Sequence, residues 1–408
     1  MVFGISMRLA VIADDLTGAM DTGLQFAKCG LETEVILSQG SLSRAEAAVL
    51  STESRDVSAA EAYHRVRVLG RQLRDHLVYK KIDSTLRGNI GPELDGLLDG
   101  LGLARALVAP AFPSAGRTVV GGYHRVFGTL LTQSAFAHDP TCPAREAHVP
   151  TLLAQQTGRT VGYLPLSVVE LGKSGVISAL KAESAAIVAA DAAEQEHLRT
   201  LALALAELRD TWLPCGSAGL AQEWPQALGW SALAPTSHGW GSSARPVLVV
   251  SGSRHPATAR QLRRAAGQGE LSLVTLWPAQ ENAQETVRAQ MLALLEQERN
   301  VGLNTTLGEF MHGQAEVMAR MLADLVARVL ESVCVGGLVL TGGDIARTVC
   351  CTLGARALRV LGEVQAGVPA GILSAGQCDG LPVVTKAGGF GDDEAILQAI
   401  AFLQGGSL

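Results

Sequence analysis

The sequence predicts an α/β fold: two α/β domains with largely parallel sheets, joined by a Gly/Ser/Pro-rich linker. Three observations carry this. Short β-branched runs alternate with helix-length segments along the chain, the pattern of parallel strands with crossover helices. Residues 229–245 break that pattern with a Gly/Ser/Pro-rich stretch lacking periodicity. The length of 408 residues also exceeds one typical domain, at roughly 150 residues each. The expected organisation is a first domain over 1–228, a linker over 229–245 and a second domain over 246–408.

In chain order, Arg8–Ala13 reads as a buried strand and Ala19–Lys28 as a helix stopped by Gly30. Thr33–Leu37 reads as the next strand. Ser58-Ala-Ala-Glu61 has the spacing of a capping box and opens a helix running to Leu73. Strands are expected at Leu77–Ile82 and Ala106–Ala109, with a helix at Pro92–Leu98 between them. Residues 151–228 read as helix-rich, interrupted by one strand at Ala186–Ala190. After the linker, strands are expected at Val247–Val250, Leu271–Leu276, Gly337–Leu340 and Pro382–Thr385. Helices are expected near Ala257–Ala266, Gln280–Glu298, Gln314–Glu331, Ile345–Leu353 and Glu394–Phe402.

Composition excludes several classes. A net charge of -6 argues against an extended nucleic-acid surface, which presents a basic face. No apolar run reaches the roughly 18 residues of a membrane span, and the first residues lack the charged and apolar regions of a secretory signal. The seven cysteines (29, 142, 215, 334, 350, 351 and 378) form no C-x-x-C pair and are odd in number. Reduced thiols in a cytoplasmic protein are therefore expected. Glycine, at 45 residues, stands above the usual share of about 7% and suits loops that approach phosphates closely.

Two strand ends in the first half concentrate polar chemistry. Ala13-Asp14-Asp15-Leu16-Thr17-Gly18 follows the first strand, where open α/β sheets gather their ligands. Adjacent carboxylates there can bind hydroxyls, hold a metal or accept a proton; Asp15 or Thr17 can equally cap the helix. Lys80-Lys81-Ile82-Asp83-Ser84-Thr85-Leu86-Arg87-Gly88-Asn89 follows another strand. It brings together the cations, carboxylate, hydroxyls and amide that a polyhydroxylated anion needs, though a polar capped turn is the plainer alternative. Pro110-Ala-Phe-Pro-Ser114-Ala-Gly116-Arg117 and His124 form a third patch. Alone, His124 reads as structural and Arg55 as surface charge.

The second half places glycine at strand ends instead. Ser251-Gly252-Ser253-Arg254-His255-Pro256, Thr341-Gly342-Gly343-Asp344 and Lys386-Ala-Gly388-Gly389-Phe390-Gly391-Asp392-Asp393 each end a strand and lead into a helix. Glycine lets backbone amides approach a phosphate, and a helix amino terminus presents free N–H groups. Neither G-x-x-x-x-G-K-[ST] nor G-x-G-x-x-G is present, and spacing does not separate ATP from NAD. Asp392-Asp393 reads equally as a magnesium site or as first-turn helix charge.

Together these segments resemble the four-carbon acid sugar kinase family. The resemblance rests on Ile12-Ala-Asp-Asp-Leu-Thr-Gly-Ala, Lys81-Ile-Asp-Ser-Thr-Leu-Arg-Gly-Asn89 and Pro110-Ala-Phe-Pro-Ser-Ala-Gly-Arg117. It continues through Ser251-Gly-Ser253, Thr341-Gly-Gly-Asp344 and Lys386-Ala-Gly-Gly-Phe-Gly391, in the family's order and across nearly the whole chain. It implies a first domain binding a sugar acid, a second binding ATP with Mg²⁺, and an active site in the interdomain cleft. The implied reaction is 4-phosphorylation of D-threonate, D-erythronate or 3-oxo-tetronate. Asp21-Thr-Gly23 looks more like the threonate and erythronate kinases. Arg254-His255 stands where the family often has Cys-Ser.

Carried over by position, Asp14 and Asp15 are the catalytic candidates. Arg55, Lys81, Ile82, Asp83, Ser84, Arg87, Asn89 and His124 would join them in binding substrate. Ser251, Ser253, Gly342, Gly343, Asp344, Gly388, Gly389 and Gly391 would hold ATP. The metal ligands stay unassigned. Expected partners are the small sugar acid and ATP, with no nucleic acid and no membrane; a homodimer is among the allowed assemblies. Rival readings are an NAD-dependent hydroxy-acid dehydrogenase, disfavoured by the missing dinucleotide fingerprint, and a non-catalytic sugar-acid sensor, disfavoured by the presence of both site halves.

Overall fold

The computed structural model describes residues 7–37, 45–138, 142–230, 243–253, 255–276, 283–305 and 315–405. The chain forms two compact units, Met1–Thr33 with Leu42–Pro235, and Glu34–Ser41 with Thr236–Leu408. Most of the expected linker, and Arg254, lie outside the described residues.

The elements up to residue 130 begin with β1 (Leu9–Ala13), α1 (Leu16–Ala27), β2 (Thr33–Ile36), β3 (Ala47–Ser51) and α2 (Ala59–Gln72). Next come β4 (Leu77–Lys81), α3 (Ile90–Leu101) and β5 (Arg105–Ala109), then a hairpin pair β6 (Arg117–Val120) and β7 (Tyr123–Val126) with the short β8 (Thr129–Leu130). After these follow α4 (Val149–Gln156), β9 (Val161–Leu164), α5 (Leu166–Val169), α6 (Gly172–Ala182), β10 (Ile187–Ala190), α7 (Gln195–Glu207), β11 (Trp212–Gly216) and α8 (Ala218–Ala227).

Within the first unit the described sheet runs β3-β1-β4-β11-β5-β10-β9, every neighbouring pair parallel. The β1 strand is buried at every position, as a strand covered by helices on both faces must be. From β1 the chain turns to β3 on one side and then to β4 on the other. That reversal opens a crevice at the carboxyl ends of these three strands, the usual ligand position in such sheets.

The second unit holds β12 (Val247–Ser251), α9 (Pro256–Gly267), β13 (Ser272–Thr275), α10 (Ala283–Glu296), β14 (Val301–Asn304) and α11 (Ala315–Leu330). It continues with β15 (Gly337–Thr341), α12 (Gly343–Thr352), β16 (Ala357–Gln365), β17 (Val368–Ser374), β18 (Pro382–Lys386) and α13 (Ala395–Leu403). Strands β13-β14-β12-β15-β18 are parallel; β17 and β16 follow antiparallel, and β2 closes the order against β16. Its core packs Val249, Leu262, Val339, Val384, Ile396 and Ile400. The order reverses again at β12, between β14 and β15.

Several expected elements change. Residues 151–228 contain three strands rather than one, because β9 and β11 extend the parallel sheet on either side of the β10–β5 pair. The α1 helix begins at Leu16, since Asp15 caps it. Ser58 caps α2 by accepting from the Glu61 N–H, but the Glu61 carboxylate pairs with Arg65 instead of returning to the cap. The α13 helix starts four residues after Gly391, so the third glycine loop is a longer turn than expected.

Candidate functional site

The carboxyl ends of β1, β3 and β4 bring Asp14, Asp15, Arg55 and Asp83 into one buried cluster. Arg55 is its centre. Its Nε donates to Asp14 Oδ2 at 2.7 Å, and its Nη1 and Nη2 donate to the two Asp15 oxygens at 2.9 Å each. Nη2 also lies 3.7 Å from Asp83 Oδ1. Arg87 holds Asp83 in a fork, Nε to Oδ2 at 2.8 Å and Nη2 to Oδ1 at 3.1 Å.

The two adjacent aspartates are not equivalent. Both Asp15 oxygens are satisfied, by the Gly18 N–H, the Thr17 hydroxyl and the Arg55 fork. Asp14 is 3% exposed, and its Oδ1 is buried with no hydrogen-bond partner. Burial opposes its charge, but Arg55, Lys81 and Lys80 together hold the carboxyl below the usual carboxylate range. Asp14 is thus an ionised carboxylate with one acceptor oxygen open.

Beneath it lies a second charge layer that sequence reading did not single out. Lys80 and Glu93 are 0% and 1% exposed and pair at 2.6 Å. Ser54 donates to the other Glu93 oxygen at 2.6 Å. Burial works against the Lys80 charge, and Glu93 with Asp14 more than offsets it. Asn89 donates to the carbonyls of Ser54, Arg55 and Val57. Its amide nitrogen is therefore engaged in fixing the Arg55 loop. Gly88 permits this approach: at φ +90°, any Cβ would lie 3.1 Å from Arg55 Cγ.

The remaining expected residues are close by but differ in use. Ile82 buries its side chain, and its N–H donates to Gly216 O, so it offers no polar side-chain group. Ser84 and Lys81 are buried, with the Lys81 ammonium beside Gly18. His124 is wholly enclosed on β7; burial pushes its imidazole down to about 4 against the Ser84 backbone and the Asp83 charge, so it is neutral near pH 7. Arg117, not assigned a role from sequence, is buried near Asp83. Arg87 and Arg117 both face the Phe136 ring, at 5.5 and 6.0 Å from its centroid. Three carboxylates (Asp14, Asp15, Asp83) thus meet four cationic groups (Arg55, Lys81, Arg87, Arg117), and a fourth carboxylate, Asp21, acts on Arg117.

Burial also raises the Asp83 carboxyl, but Arg87 and Arg55 outweigh it and hold the group well below the ordinary value. A depressed folded-state pKa stabilises the fold above the unfolded value of about 3.9, and that stability disappears as pH falls through the folded value. Acid titration followed by circular dichroism should show stability falling below about pH 4. Asp83→Asn should start less stable at neutral pH and show a shallower decline there. Identical acid profiles would contradict this.

In the second unit the strand ends align: Ser251 faces Asn304 and Thr341, and Thr341 faces Lys386. The three glycine-bearing loops meet there. A Cβ at Gly388 would lie 2.2 Å from Ser253 Oγ, and one at Gly389 3.2 Å from His255 Nε2. Gly342 adopts φ +97° and caps α12, with Gly343 as its first residue. Asp344 is in that first turn and exposed. Thr341 donates to Ser251 Oγ at 2.7 Å. Asp393 pairs with Arg260, and Asp392 accepts from the Glu394 N–H; both precede α13, so neither is first-turn charge as one of the two readings expected. Among the described residues no group of three or more His, Cys, Asp or Glu could hold a metal ion. No described helix is long and apolar enough to cross a membrane.

Comparison with known proteins follows the same division. Residues 9–224 match a sugar-binding N-terminal domain and residues 248–396 a nucleotide-binding C-terminal domain. The chain is 35% identical to the D-threonate kinase of Salmonella typhimurium, over 98% of this chain and 99% of that one. It is 34% identical to the D-erythronate kinase of Heliobacterium modesticaldum, over 97% of each. The 3-oxo-tetronate kinase of Methylobacterium radiotolerans is 30% identical, over 95% and 97%. A Haemophilus influenzae protein of the DUF1537 family has the same fold, with TM-score 0.71 and 25% identity over 97% and 99%. Fold and relatives define a two-domain small-molecule phosphotransferase. The chain belongs to the four-carbon acid sugar kinase family.

Proposed function

We propose that this protein, a kinase of four-carbon sugar acids, transfers the γ-phosphate of ATP to the 4-hydroxyl of D-threonate or D-erythronate. One observation carries the mechanism: the unpartnered oxygen of the buried, ionised Asp14, beside Arg55, Lys81 and Lys80. In this reading Asp14 Oδ1 accepts the proton of the attacking hydroxyl, while Asp15, saturated by its partners, fixes Arg55 and starts α1. Arg87, with Arg117 behind it, takes the acid's carboxylate, and Lys81 takes developing negative charge near the hydroxyl. Relatives of comparable identity named for both threonate and erythronate support the substrate pair.

For the nucleotide, the loops at Gly342-Gly343 and Gly388-Gly389 fit a polyphosphate, since Gly343 opens α12 and its amino-terminal N–H groups, and Gly388 and Gly389 let their loop approach Ser253 and His255 closely. Ser251 and Ser253 supply hydroxyls to the same edge. Mg²⁺ commonly binds one or two carboxylates plus substrate phosphates, and Asp344, in the first turn of α12, is the carboxylate beside this edge that would join it. Its chemistry would be neutralisation of phosphate charge.

The test is an ADP-release assay over D-threonate, D-erythronate, L-threonate and 3-oxo-tetronate with ATP and Mg²⁺. Turnover greatest with one of the first two is expected. Preference for 3-oxo-tetronate would reassign the substrate, and no turnover by folded protein would overturn the proposal.

A further inference from the structure

Lys386 ends β18 and is 1% exposed. Its Nζ reaches four oxygens: Ala387 O at 3.1 Å, Phe390 O at 3.2 Å, and Gly388 O and Thr258 Oγ1 at 3.3 Å each. Among the described residues no carboxylate pairs with it, and burial pushes its ammonium down to about 7. A buried cation without a counter-ion is costly, so its placement calls for a reason.

The reason lies in the peptides that it touches. All peptide bonds here are trans, and in a trans peptide the C=O and the following N–H point in opposite directions. Carbonyls of 387, 388 and 390 turned toward Nζ therefore direct the N–H groups of Gly388, Gly389 and Gly391 away from it. None of those three amides donates a hydrogen bond within the described residues. The loop is closed by the Phe390 N–H on Ala387 O, and braced from α9 by Gln261 on the carbonyls of Phe390, Gly391 and Asp392. Thr258 adds a bond to Gly388 O.

We propose that Lys386 is a positioning residue that gathers the carbonyls of the 387–390 loop, thereby turning three glycine amides outward as a nest for the nucleotide's phosphates. The lysine sits on one side of these peptides and the anion on the other. Each peptide dipole is aligned between them, and the bound phosphate supplies the counter-charge that the protein withholds. This rests on the nucleotide reading of the second unit and adds to it a residue that need not touch the ligand.

The test measures binding of ADP and of adenosine to full-length wild type and to Lys386→Met by calorimetry. Wild type should favour ADP. In Lys386→Met, ADP should weaken by about tenfold or more while adenosine changes little. In turnover, KM for ATP should rise while KM for the sugar acid holds. An unchanged ADP-to-adenosine preference in folded Lys386→Met overturns the inference, as does an equal rise in both KM values. If wild type binds no nucleotide, the nucleotide reading itself fails. Should Lys386→Met not fold, Gly389→Pro removes one of the three amides directly; undiminished ADP affinity there also overturns the proposal.

Discussion

Asp14→Asn should lower kcat by about a hundredfold to ten-thousandfold, the usual contribution of a positioned general base. The substitution keeps the shape of the side chain and an acceptor oxygen but removes the charge that draws the proton. Asp15→Asn should behave differently. Asparagine caps a helix about as well as aspartate, so α1 should persist. What is lost is one carboxylate of the buried Arg55 cluster, with an expected cost of up to about 3 kcal/mol and a higher KM for the acid. Parallel measurement of kcat, KM and Tm separates the two roles. If Asp14→Asn keeps kcat within a few-fold, or if Asp15→Asn alone loses it at unchanged Tm, the assignment of the base is wrong.

The buried Lys80–Glu93 pair gives the second large effect. Removing either partner leaves an uncompensated charge at a position that is wholly enclosed. Lys80→Met or Glu93→Leu should each destabilise the protein by about 3–5 kcal/mol. Replacing both should recover much of that loss, because an apolar pair carries no desolvation penalty. Ser54, next in the chain to Arg55, donates to Glu93, so the single variants should also raise KM for the sugar acid. Chemical denaturation of the four proteins closes a double-mutant cycle. Additive losses would show that the two side chains do not act as a pair.

How far the sequence foretold these groups depends on range. Asp14, Asp15 and Asp83 follow strands, and strand ends were legible from local β-branched runs. The difference between Asp14 and Asp15 was not, because it is decided by Arg55, which arrives from a separate strand end. Lys80 carried a usable signal, a charge inside a strand that is otherwise buried. Its partner Glu93 lies in the first turn of α3, a place where helix charge alone would account for a carboxylate. The β11 strand was hidden by Pro214, which argues against a central strand, and by helices on either side. The β16–β17 hairpin was overlooked for another reason: its turn at Gly367 lies inside a region read for helices and strand-end loops. In Lys386 the sequence offered the residue beside the glycines, but only the direction of three carbonyls reveals what it does.

Strand β2 has a consequence for how the protein is made. It belongs mostly to the second unit, pairing Ile36 with Ala357, yet it is synthesised between segments of the first. During translation the edge of this strand that meets β16 must wait, uncovered, until almost the entire chain has emerged. Closing so long a loop is slow, and the uncovered edge is meanwhile offered to other nascent chains. A fragment starting at residue 236 would lack its terminal strand and leave β16 uncovered. Restoring that strand as a separate peptide should improve the fragment's solubility. Gene fusions or truncations planned as though the units were consecutive would cut through this exchange.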